Sequence, residues 1–174
     1  MADRDAPRPI PTAFLDRDGT INRKARGGSG SYITSWEDFR FLPGAIEAME
    51  LLRHAGWRIV VVTNQRGVAL GTMTREQVDE IHRRMALLAP IDAVYVCPHD
   101  EGECDCRKPE VGLFRAAQRD DPGIDFATSV VFGDAESDIE AGQRLGCRTV
   151  QVGAPPLPSL LRAVRELLAE PSAA

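Results

Sequence analysis

The sequence predicts an α/β fold of three layers, with helices on both sides of a parallel sheet. Three observations predict it. Short apolar runs alternate with helical patterns along nearly the whole chain, the alternation that builds parallel sheets. One run, residues 58–63 (Arg-Ile-Val-Val-Val-Thr), is continuously apolar, as strands buried on both faces are. Polar signatures follow the strands at Asp16/Asp18, Thr63/Asn64 and Asp134/Asp138, and in such sheets ligands bind beyond the carboxyl ends of the strands.

The 174 residues suit one domain with a full core. Residues 1–11 are charged and proline-rich without the apolar core of a secretory signal, so they read as a flexible tail ahead of a domain over 12–170. The first strand is 12–15. A loop over 22–40 follows, with Gly27-Gly28-Ser29-Gly30 at its centre. Pro43-Gly44 opens a helix to about residue 55, with Ile46, Met49, Leu51 and Leu52 as its apolar side, and Gly56 ends it. After the strand at 58–63, Thr74 caps a helix over 75–88, with Glu76 and Gln77 in its first turn. A third strand (91–96) leads into a cysteine-bearing loop ending in Arg107-Lys108-Pro109. A helix over 111–119, a strand over 129–132 ending at Gly133-Asp134, and a helix over 137–145 stopped by Gly146 come next. A strand over 147–152 and an amphipathic helix over 157–169 complete the pattern.

Hydrophobic residues are 43% of the chain, charged residues 27%, and the net charge is −5 with no basic block. This balance argues against nucleic-acid or anionic-membrane partners, and no apolar run is long enough to span a bilayer. The expectation is a cytoplasmic protein. No helix face is left apolar without a use, so a monomer is expected.

The expected chemistry centres on Phe14-Leu15-Asp16-Arg17-Asp18-Gly19-Thr20. Residues two apart on a strand share a face, so Asp16 and Asp18 stand side by side and repel. A divalent cation relieves that repulsion, and carboxylate oxygens suit Mg²⁺. A carboxylate pair, a further acid, a hydroxyl, an amide and a lysine are the parts phosphoryl transfer needs. Asp16, nearest the strand end, is the expected nucleophile, forming an aspartyl-phosphate that water hydrolyses. Asp18 protonates the leaving oxygen and then activates the water. Thr63 and Lys108 hold phosphoryl oxygens. Mg²⁺ is expected at Asp16, Asp18 (its backbone carbonyl being one candidate ligand) and Asp134, with Asp138 in support. A phospho-accepting receiver domain would also use Asp, Thr and Lys, but its acceptor follows a middle strand rather than lying within the first acid pair. A zinc-binding interaction module would not need Asp16, Asp18 and Asp134.

Three of the four cysteines fall within ten residues, beside one of only three histidines. Cys97, His99, Cys104 and Cys106 form a Cys₃His set, suited to tetrahedral zinc. Four protein ligands leave no open position, so the zinc is expected to be structural and to stiffen the loop that carries Lys108. Cys147 reads as a buried apolar residue, and His54 and His82 as helical residues with no catalytic role.

Asp16-x-Asp18-Gly19-Thr20, Thr63-Asn64, Lys108 and Gly133-Asp134-x3-Asp138 resemble, in order, the four motifs of the haloacid dehalogenase-like (HAD) phosphatase superfamily. The resemblance covers about residues 12–153. It implies a Rossmann-like fold, Mg²⁺ dependence and an aspartyl-phosphate intermediate. Many relatives carry a lid domain, but the stretches between Asp16 and Thr63, and between Thr63 and Lys108, are used up by single loops, helices and strands, so no cap is expected. The loop Cys97-Pro98-His99…Cys104-Asp105-Cys106-Arg107-Lys108-Pro109 resembles the capless, zinc-loop branch. That resemblance implies removal of the 7-phosphate of D-glycero-D-manno-heptose 1,7-bisphosphate, with histidinol phosphate or another small sugar phosphate as alternatives. It also implies that Arg107 joins Lys108 on substrate phosphate, that Asn64 contacts substrate, and that Gln65, Arg66 and Gly67 help line the sugar site. Two positions depart from the branch pattern: Leu70 where an arginine is usual, and Ala135 where a basic residue is frequent. The 22–40 loop, with Arg23, Lys24 and Arg26, is long for the branch and well charged to meet a second phosphate.

Overall fold

Residues 10–27 and 31–170 are described by the computed structural model. The expected tail up to residue 9 and the Gly28-Ser29-Gly30 centre of the first long loop lie outside them. The described tail residues are paired: Ile10 bridges Ile124, and the Arg58 amide donates to Pro11 O at 2.9 Å.

Five strands form one parallel sheet in the order β3-β2-β1-β4-β5. They are β1 (Thr12–Leu15), β2 (Arg58–Asn64), β3 (Ala93–Cys97), β4 (Val130–Gly133) and β5 (Arg148–Gln151). The helices are α1 (Ala45–His54), α2 (Arg75–Leu88), α3 (Gly112–Asp120), α4 (Glu136–Arg144) and α5 (Leu160–Ala169). The sequence pattern predicts every one of these elements, with ends within one to three residues. α5 starts three residues later than expected because Pro158 precedes its cap, Ser159, whose hydroxyl accepts from the Arg162 amide. The Thr74 cap of α2 is reinforced by Gln77, whose Oε1 accepts from the Thr74 amide.

Strand alternation sorts the core into two. Ala13, Leu15, Ile59, Val61, Val130 and Phe132 face a cluster completed by α1, α2 and α5. Phe14, Val60, Val62 and Val131 face the other, completed by α3 and α4. Both faces of β1 and β2 are therefore dry, which is why their sequences are apolar without alternation. The chain leaves β1 toward β2 and β3, then crosses back to β4 on the other side of β1. The order of connection thus reverses between β1 and β4, and at such a point the two loops diverge and leave a crevice at the carboxyl ends.

Candidate active site at the carboxyl edge of the sheet

Parallel pairing persists one residue past β1, where the Asp16 amide donates to Phe132 O at 2.9 Å. This fixes Asp16 at the crevice, 8% exposed. Lys108 is 4% exposed. Its ammonium meets Asp16 Oδ1 at 2.7 Å, Asp138 Oδ1 at 2.6 Å and Val62 O at 2.7 Å, an acceptor for each of its three N–H groups. Burial pushes the Asp16 carboxyl up to about 7, with Asp138 and Asp18 adding repulsion against the pull of Lys108. Burial alone would lower Lys108, but Asp16 and Asp138 outweigh it and raise it. Burial and the neighbouring carboxylates thus both favour a proton on Asp16, while for Lys108 those carboxylates override burial and hold its proton.

Beyond Asp16 the chain folds into a tight turn. The Ile21 and Asn22 amides donate to Arg17 O, and the Gly19 amide to Asn22 O. Gly19 has φ of 98°, and a Cβ there would lie 2.3 Å from Asp134 Oδ2, so only glycine lets this turn approach Asp134. The Asp18 carboxylate accepts from Arg17 Nη2 at 2.8 Å, Asn22 Nδ2 at 2.9 Å and Gln65 Nε2 at 2.8 Å. Burial would raise its pKa, but Arg17, Asn22 and Gln65 together bring it below the ordinary aspartate value.

At the end of β2, Thr63 is 1% exposed and its hydroxyl accepts from Gln65 Nε2 at 2.8 Å. Asn64 clamps the Lys108 backbone at both of its groups, each at 3.1 Å. Gln65 is buried behind Asp18 with its amide spent on Asp18 and Thr63. Arg66 is engaged by Asp100 and Glu101 of the cysteine-bearing loop. Leu70 is exposed.

At the end of β4, Asp138 caps its own helix by accepting from the Ala135 amide at 3.1 Å. Gly133 lies directly beneath it: a Cβ there would fall 2.3 Å from Asp138 Cβ. Asp134 pairs with Lys24 of the first long loop at 2.5 Å, and burial keeps its carboxyl raised despite that partner. Carboxylate oxygens of Asp16, Asp134 and Asp138 lie within 4.8 Å of one another. The Asp18 carboxylate is not in this group; it faces Arg17, Asn22 and Gln65. The cavity over the group is about 440 Å³ and is lined by Asp16, Asp18, Lys24, Tyr32, Lys108 and Asp134 among others. Ala135 lines it too and brings no cation to that wall, which Asp134 and Asp138 share.

Ligand atoms of Cys97, His99, Cys104 and Cys106 also lie within 4.8 Å of one another. His99 Nδ1 is 3.7 Å from Cys97 Sγ and 3.3 Å from Cys106 Sγ, and Cys104 Sγ is 3.5 and 3.2 Å from Cys97 and Cys106 Sγ. Burial opposes it, yet hydrogen bonds from the Cys106 thiol and from the Cys106 and Arg107 amides pull Cys104 down to about 7. Burial raises Cys97 and Cys106. One thiol of the set is thus near ionisation before any metal arrives.

Sequence reasoning did not assign the partners of these groups. Asn22 on Asp18, Lys24 on Asp134, the buried Arg17 and the buried His82 that meets it at 3.0 Å emerge only from the fold. For Asn22 a signal existed, four residues after Asp18 in a turn. For His82, 65 positions from Arg17, there was none.

The chain is similar to known proteins along most of its length. A family model described as HAD-hydrolase-like matches residues 105–154. A D-glycero-alpha-D-manno-heptose-1,7-bisphosphate 7-phosphatase of Mycobacterium bovis is 42% identical over 151 residues, covering 80% of this chain and 78% of that one. A D-glycero-beta-D-manno-heptose-1,7-bisphosphate 7-phosphatase of Vibrio cholerae is 37% identical over 161 residues, covering 83% of each. The crystal structure of D,D-heptose 1,7-bisphosphate phosphatase from B. bronchiseptica, complexed with magnesium and phosphate, superposes with a TM-score of 0.79 at 29% identity, covering 93% of this chain and 100% of that one.

Proposed function

The chain belongs to the HAD-like phosphatase family, and we propose that it removes the 7-phosphate of D-glycero-D-manno-heptose 1,7-bisphosphate, leaving the heptose 1-phosphate. The observation that carries this reading is the meeting of Asp16, Asp18, Lys108, Asp134 and Asp138 around one cavity at the sheet's carboxyl edge. Asp16 attacks phosphorus, the bond from phosphorus to the sugar oxygen breaks, and Asp18, which must carry a proton at this step against the pull of Arg17, Asn22 and Gln65, gives that proton to the oxygen. Water then attacks the aspartyl-phosphate, giving its proton to Asp18, so that inorganic phosphate leaves and both carboxyl groups return to their starting forms. Lys108 and Thr63 hold the phosphoryl oxygens through both steps.

Asp16, Asp134 and Asp138 would hold Mg²⁺, with the Asp18 backbone carbonyl as a further oxygen. Their clustered hard oxygens, in excess over the local cations, fit that ion. When bound, Mg²⁺ neutralises charge on the phosphoryl oxygens and between the carboxylates. Cys97, His99, Cys104 and Cys106 would hold a structural Zn²⁺; soft thiolates plus one imidazole fit it, and the mutual distances suit a tetrahedron.

Two features support a bisphosphate. Arg107 Nη1 is buried with no hydrogen-bond partner among the described residues, a donor waiting for an acceptor. A second cavity of about 530 Å³, bordered by Arg23, Lys24, Arg26 and Arg40 against Glu37 and Asp38, adjoins the first through Lys24 and Tyr32, and its excess of basic groups suits a second phosphate. Among the described residues no helix is long and apolar enough to cross a membrane.

The test is phosphate release with Mg²⁺ across both anomers of the heptose bisphosphate, histidinol phosphate and simple hexose and triose phosphates. A preference for one heptose anomer of about a hundredfold in kcat/KM, or ~2.7 kcal/mol in transition-state binding, is expected. Preference for histidinol phosphate overturns the substrate. Asp16→Asn should lower turnover at least about a thousandfold with folding and zinc content intact; retained hydrolysis overturns the mechanism.

A further inference from the structure

Among the described residues Arg17 is the largest side chain buried to completion, at 0% exposure, one residue after the nucleophile. An arginine in that position must place its N–H groups on acceptors, because a buried unpaired cation is very unfavourable. One edge of the guanidinium is accounted for. Nε donates to Asp18 Oδ2 at 3.1 Å, and Nη2 donates to Asp18 Oδ1 at 3.0 Å and Gln65 Oε1 at 3.2 Å. Nη1 has His82 Nε2, at 3.0 Å.

Arginine can only donate. His82 Nε2 must therefore be the bare, accepting nitrogen, and the proton of the neutral ring must sit on Nδ1. His82 is itself 6% exposed on α2, beside the buried Ile81 and one turn from Val78 and Met85. A polar ring on an apolar helix face is unfavourable unless it is hydrogen-bonded, and a leucine would fill the site at least as well. What leucine cannot supply is the acceptor. Burial and the facing Arg17 charge push the imidazole down to about 3, with Arg75 adding to this and Asp18 opposing it, so the accepting form persists at neutral pH.

We propose that His82 is a positioning residue for the phosphatase reaction: its Nε2 fixes the rotation of the Arg17 guanidinium, whose opposite edge then holds the Asp18 carboxylate in place. The inference rests on the reading of Asp18 as the group that protonates the leaving oxygen. Without an acceptor at 82, Nη1 is orphaned inside the protein. The guanidinium then turns to find another partner and its two-pronged hold on Asp18 is lost, along with the Gln65 bond that completes the ring through Asp18 and Thr63.

The experiment compares kcat/KM, which reports the step forming the aspartyl-phosphate, on a sugar phosphate and on p-nitrophenyl phosphate. The sugar oxygen needs a proton to leave; nitrophenolate does not. His82→Leu should lower kcat/KM about tenfold or more on the sugar phosphate and less than about threefold on the aryl phosphate, a modest share of the roughly 10²–10⁴ that acid–base catalysis supplies. His82→Gln, which restores an acceptor, should recover most of the loss. Equal losses on both substrates, equal losses in both variants, or no loss overturns the proposal. Asp18→Asn separates the two levels. If it also lacks the leaving-group dependence, the reading of Asp18 has failed; if it has the dependence and His82→Leu does not, only the role of His82 has failed. Should His82→Leu not fold, the ¹⁵N spectrum of the wild-type ring decides: an unprotonated Nε2 is expected, and a protonated one overturns the proposal.

Discussion

At the scale of single residues, the site is a set of buried charges held by their neighbours, and pH should reach it through them. In the unfolded chain His82 gains a proton near 6.5; folded, it stays neutral until about 3. Unfolding therefore takes up a proton in that window. The stabilisation is complete above pH 6.5 and is lost as the pH falls toward 3, by up to about 1.4 kcal/mol per pH unit. Urea melts from pH 7 to pH 4 should show this slope, and His82→Gln should flatten it. Gly133 gives a second prediction. With a Cβ 2.3 Å from that of Asp138, Gly133→Ala should destabilise the fold by ~1–3 kcal/mol and lower kcat by displacing Asp138 from Lys108, both measurable on the purified variant. The sequence announced Asp16, Thr63 and Asp134 because each lies at the carboxyl end of a strand, and Lys108 because it stands just before a helix on the same edge. It could not announce the bond between Arg17 and His82, since nothing local marks a pairing made across the fold. Gln65 shows the same limit: its motif pointed to the sugar site, but the fold buries its amide behind Asp18.

At the scale of elements, the cysteine-bearing loop joins two parts of the site. It starts at Cys97, the last residue of β3, paired in register with Asn64 of β2, and it ends next to Arg107 and Lys108. Asn64 clamps Lys108 from the other side. Cys104→Ser, which removes the thiol nearest ionisation, should lower zinc content and raise KM more than it lowers kcat, because Lys108 retains its Asp16, Asp138 and Val62 partners while Arg107 loses its support. Zinc analysis alongside steady-state kinetics checks this; wild-type KM with zinc lost would refute the role given to the loop. Element ends were legible where caps are strong. Thr74 with Gln77 marked α2 to the residue, whereas the proline-rich approach to α5 hid Ser159, a cap just as real, behind an apparently apolar start.

At the scale of the whole molecule, the strand order distributes risk unevenly. The groups assigned to bond making hang mainly from β1 and β4, which lie inside the sheet, and Lys108 is pinned to β2 through Val62 O. The groups assigned to recognition hang from its margins: Arg66 and Arg107 lean on the loop that leaves edge strand β3, and Lys24 and Arg26 sit on a long surface loop. Edges and surface loops open at lower free energy than central strands. Warming should therefore make this enzyme indiscriminate before it makes it idle. The ratio of kcat/KM for the best substrate to that for a simple triose phosphate should collapse some degrees below the temperature at which turnover itself fails, and an organism that needs fidelity from it is held to the lower of the two.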